Sequence, residues 1–93
     1  MQKFRKKPVV IEALLWDGSN YEEIAVWCGK TDKNEHGIKD PGRFQRTKDD
    51  VVGVLTLEGF MTATIGDWIV KGVKDEFYPV KPDIFAATYE AVE

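Results

Sequence analysis

The stretch TLEGFMTATIGDWIVKGVKDEFYPVKPDIFAATYE, Thr56–Glu90, decides the fold. Short runs of β-branched and aromatic residues alternate with turn residues, the pattern of strands joined closely in succession. Val52–Leu57 and Phe60–Thr64 read as two strands, with Glu58-Gly59 as the two-residue connection of a tight hairpin. Gly66-Asp67 turns the chain into a strand at Trp68–Lys71, and Gly72–Asp75 turns it again into Glu76–Val80. Pro79 and Pro82 have no N–H to donate, so that strand belongs at a sheet edge. Asp83 is placed to cap a single helical turn over Ile84–Ala87, and Thr88–Val92 reads as a final strand.

Upstream, Val9–Trp16 is expected to be a strand, with Val9, Ile11, Ala13 and Leu15 on its apolar face. Trp16 then lies on the opposite face with Glu12 and Leu14, either packed under a helix near Trp27 or at an interface. Pro8 suits a strand's first position. Asn20 has the spacing of an N-cap, and Glu23 completes a capping box. Ile24, Trp27 and Cys28 fall at i, i+3 and i+4, which predicts a helix over Asn20–Cys28, ended by Gly29. The expected core is Leu15, Ile24, Trp27, Leu55, Leu57, Ile69 and Phe77.

Lys30–Asp50 differs from its surroundings. It mixes charges with Gly37, Pro41 and Gly42, and holds few apolar residues beyond Ile38 and Phe44. It reads as a variable loop dispensable for folding, with room for a short strand around Arg43–Thr47. The whole is one domain over residues 1–93, beginning with a basic arm over residues 1–7. The class is α+β: a strongly bent antiparallel sheet, or a partly open barrel, of about five or six strands with one short helix against it.

Composition bounds the function. The chain has 93 residues, 43% of them hydrophobic and 31% charged, as expected for a globular protein. No apolar run approaches the roughly 20 residues of a membrane-spanning helix, and the start lacks the pattern of a secretory signal. These features predict a cytosolic protein. A formal charge of −3 argues against general nucleic-acid binding. One cysteine, Cys28, and one histidine, His36, leave no disulfide and no Cys/His metal site within the chain. Cys28 reads as a small buried hydrophobe.

No phosphate-binding loop, nucleophile elbow or paired metal-ligand histidines occur. Asp49-Asp50 and Asp75-Glu76 are paired acids without a neighbouring nucleophile; a hydrolase built on acids and Mg²⁺ is the remaining catalytic alternative. The chain is therefore expected to be no enzyme and to need no cofactor or metal. The segment with binding chemistry is Trp68–Asp83. Lys71, Lys74 and Lys81 offer ammonium groups, Trp68, Phe77 and Tyr78 offer rings, and Asp83 closes the segment. Cations beside rings suit an anionic, nucleotide-like ligand. The same residues also read as core aromatics with solvated edge lysines. Arg5, Lys6 and Trp16 are secondary candidates.

Two motifs carry a resemblance: FRKKPVVIEALLW (Phe4–Trp16) and the Thr56–Glu90 stretch quoted above. Together they resemble a family of small proteins encoded by bacteriophages and prophages, with the similarity skipping Gly29–Val52. The resemblance implies an origin in the cytoplasm of an infected bacterium and no particular activity. The expected function is a binding protein, with sequestration of a small anionic nucleotide signal of host immunity by a homo-oligomer as the most concrete form. A protein–protein inhibitor or adaptor of a host factor, or a virion assembly accessory, is the alternative.

Overall fold

The computed structural model describes residues 1–5, 8–28 and 44–92. Among these residues, six strands and two helices follow in the order β1 (Glu12–Leu15), α1 (Tyr21–Trp27), β2 (Phe44–Arg46), β3 (Val52–Thr56), β4 (Gly59–Ala63), β5 (Trp68–Lys71), β6 (Phe77–Val80) and α2 (Pro82–Thr88). The strands form two three-stranded antiparallel sheets, β1-β5-β6 and β2-β3-β4. β3 and β4 lie against β6, so the sheets fold over one another as a strongly bent α+β architecture, with no closed barrel among the described residues.

The core fills the bend. Trp16 and Ile69 from the first layer meet Phe44, Val52, Val54 and Ala63 from the second, with Ile24, Ala25 and Cys28 of the α1 region closing one side and Phe77 completing the cluster. Cys28 is buried, as its small apolar character suggests. α1 is only seven residues long and depends on this packing. Trp27 packs edge-on against Phe77, with ring centroids 5.3 Å apart.

Several local readings are corrected. At the end of β1 the packed alternative holds for Trp16, which is fully buried, while Leu15, expected in the core, is exposed. The large indole has more apolar area to remove from water than the aliphatic residues beside it. It also satisfies its one donor inside, with Nε1–H donating to the Asp50 carbonyl at 2.8 Å. Val9 and Val10 are exposed and precede the strand. Asn20 precedes α1 without capping it through its side chain. Instead its Oδ1 accepts from the Asp17 N–H, and its Nδ2 donates to the Leu15 carbonyl. The β3–β4 turn is Leu57-Glu58, one residue earlier than expected, because Gly59 takes the positive φ of 107° at the start of β4.

The carboxy-terminal end also differs. A two-turn helix replaces the single turn and the final strand, with Lys81 at its N-cap and Pro82 at its first position. Proline's fixed φ suits that position, so Pro82 starts a helix as well as ending the strand. Phe85 of α2 and Tyr89 at its C-cap have ring centroids 5.0 Å apart. Phe85 stacks on Trp68 at 4.3 Å with the planes 10° apart, and Tyr89 meets Tyr78 through a 3.4 Å hydroxyl contact. α2 therefore lies over the face of the first sheet turned away from the core. Register puts Trp68, Val70 and Tyr78 on that face, and Val70 is fully buried.

Phe44 corrects the reading of Lys30–Asp50. It is 3% exposed, and its strand pairs with β3 as the short-strand reading allowed. Most of the rest of that segment, with Ile38 and His36, and Gly29 before it, lies outside the described residues.

Candidate functional site

The segment Trp68–Asp83 does not gather its cations. Lys71 stands opposite Phe77 at one end of the β5–β6 hairpin, and Lys81 follows Val80 at the other. Four residues of strand separate Phe77 from Lys81, about 13 Å. Lys71 faces Asp75, with Nζ 3.6 Å from Oδ1. Lys74 sits in the adjoining turn, where its backbone N–H donates to Glu76 Oε2 at 2.7 Å. Carboxylates thus share the hairpin end with both lysines and offset their charge.

Lys81 is engaged in the fold. Its Nζ lies 2.9 Å from Oδ2 of Asp67, whose side chain is only 3% exposed. The same oxygen accepts from the Thr64 N–H at 2.9 Å. One carboxylate therefore ties the β4–β5 turn to the end of β6. Trp68 is covered by Phe85, so its flat face is occupied. Tyr78 is raised from 10.0 to about 12 by burial and by the hydroxyl of Tyr89. It shares a face with Trp68, opposite to that of Lys71. Asp83 sits in the first turn of α2, where a negative charge is favoured by the helix dipole. Trp16 is core, Arg5 is exposed in the arm, and Lys6 lies outside the described residues.

A second concave feature lies beside α1. Ser19, Asn20, Tyr21, Glu22, Glu23 and Arg46 line an open cleft of about 600 Å³. Its one guanidinium already sits 4.8 Å from the centre of the Tyr21 ring. The Tyr21 hydroxyl donates to the Phe44 carbonyl and accepts from the Arg46 N–H. Two carboxylates and one committed arginine give this cleft little to recognise an anion with. Among the described residues no group of three potential ligands for a metal ion occurs.

What the fold does display is apolar. Val52 and Val54 of β3 point into the core, so Gly53 and Leu55 point out. Register places Phe60 opposite Leu55 and Thr62 opposite Gly53 on the same outer face. The Phe60 ring lies diagonally across Gly53, 3.5 Å from where a β-carbon there would stand. Phe60 is 54% exposed, Leu55 38%, and Leu57 in the adjoining turn 81%. Asp49 and Asp50 lie beyond one end of β3 and Glu58 beyond the other, all exposed, with Lys48 the neighbouring cation. Leu55 and Leu57, expected in the core, are surface residues. A strand apolar at positions of both parities does not disclose which face is covered, so periodicity gave no signal for this patch.

No family model, curated protein or solved structure matches the chain. No helix among the described residues is long and apolar enough to cross a membrane.

Proposed function

We propose that this chain is a non-enzymatic binding protein that docks polypeptide on the outer face of its second sheet. The observation that carries this reading is the joint exposure of Leu55 and Phe60, paired on one side of a sheet whose other side carries Val52, Val54 and Ala63 of the core, with exposed Leu57 in the turn that joins their strands. Contiguous apolar surface of this kind marks interaction sites, whereas single exposed apolar residues do not. An aromatic ring among aliphatic neighbours is also the composition of an interface centre. The resemblance to phage and prophage proteins supplies the setting: the cytoplasm of an infected bacterium, where such a protein inhibits or redirects a host factor or assists virion assembly.

Sequestration of a small anionic nucleotide is the weaker reading. Lys71, Lys74 and Lys81 divide between two ends of a hairpin, and Lys71 and Lys81 each face a carboxylate.

Affinity purification of the tagged chain from bacterial cytoplasm tests the choice, with proteins and small molecules read separately by mass spectrometry. A stoichiometric polypeptide is expected with the natural chain and with K71A/K74A, and is lost with L57S/F60S. A nucleotide-like anion retained by the natural chain and lost with K71A/K74A contradicts the reading.

A further inference from the structure

The amino-terminal arm is the second unpartnered apolar element. Phe4 stands 89% exposed and Val10 74% exposed. Lys3 and Arg5 flank Phe4 in the sequence. Burying Phe4 and Val10 is favourable in proportion to the apolar area removed from water. Nothing in the described part of the same chain does so.

Charge says where the arm goes. Residues 1–7 carry four basic groups and no acidic one, while the remaining 86 residues carry nine basic against sixteen acidic. The arm and the body are thus oppositely charged parts of one chain, an arrangement that favours association between copies. The apolar face of Leu55, Leu57 and Phe60 has Glu58 at one end and Asp49 and Asp50, beside Lys48, at the other. An extended arm of eleven residues reaches about 36 Å, more than the length of a five-residue strand.

Resting on the docking-face reading above, we propose that the occupant of this face is the amino-terminal arm of a second copy of the chain. Phe4 and Val10 cover Leu55, Leu57 and Phe60, and the arm's cations approach Glu58, Asp49 and Asp50. The exchange is reciprocal, so each copy gives one arm and receives one, as a closed twofold dimer requires.

Complementation between full-length variants tests this. F4S/R5E disables the arm and leaves the face intact; L57S/F60S disables the face and leaves the arm intact. Light scattering should give the natural chain a mass near twice 10.6 kDa, falling toward the single-chain mass as salt is added. Each variant alone should be monomeric, and an equimolar mixture should form a dimer through the one intact arm and the one intact face. A monomeric natural chain, a dimeric F4S/R5E variant or a mixture that stays monomeric overturns the proposal. L57S alone repeats the face test at a position too exposed to affect folding. If L57S/F60S loses a different captured polypeptide while F4S/R5E keeps it, the docking face stands and the arm is not its occupant.

Discussion

Lys81 Nζ lies 2.9 Å from Asp67 Oδ2 and joins the β4–β5 turn to the strand end that starts α2. Removing either partner should therefore affect stability before it affects any ligand. Lys81 is 56% exposed at its side chain, so water replaces part of what K81M removes, and the expected cost is about 1 kcal/mol. D67A also strands the Thr64 N–H and should cost roughly 1–3 kcal/mol. Denaturant unfolding of both single variants and the double variant measures the coupling, and a coupling of zero means the contact carries no energy.

Phe44 and Leu57 exchange the roles that their sequence context suggests. Phe44→Ala should cost about 3–5 kcal/mol, because the ring fills the bend between the sheets and stacks with Tyr21 at 5.3 Å. Leu57→Ala should stay within about 0.5 kcal/mol at an exposed turn position. Thermal melts of the two variants check this directly; equal losses would place Leu57 in the core.

Tyr78 gives the fold a dependence on alkaline pH. Its folded value is raised from 10.0 to about 12, first by burial and then by the Tyr89 hydroxyl. Folding thus favours the neutral phenol. That contribution is fully present below pH 10 and is lost as the pH rises toward 12. Ultraviolet titration of phenolate should show a late component from Tyr78. Y89F should bring its midpoint part of the way back, since burial remains. An unchanged midpoint in Y89F means that the two hydroxyls do not meet.

Much of the fold is legible in the sequence because its signals are local. Gly66-Asp67 and Gly72–Asp75 turn the chain where expected, and Ile24 with Cys28 marks the buried side of α1. What local pattern does not contain is which face of a strand another layer will cover. Trp16 outweighs Leu15 in β1 by its size, and Val54 rather than Leu55 points inward in β3. The candidate site fails for a related reason. Lys71 and Lys81 are close along the chain but lie at opposite ends of the hairpin, and the carboxylate that engages Lys81 comes from Asp67, fourteen residues earlier. Phe60 over Gly53 is likewise a diagonal pair across two strands, which only the register brings together.

The most direct test of the arm's place on the docking face is calorimetric titration of a peptide spanning Met1–Ile11 into the full-length F4S/R5E variant, whose own arm is disabled and whose face is free to accept one. Saturable binding at one peptide per chain is predicted, weakened by added salt and abolished when L57S/F60S is introduced into the acceptor. Absence of binding, or binding that survives L57S/F60S, would contradict the account.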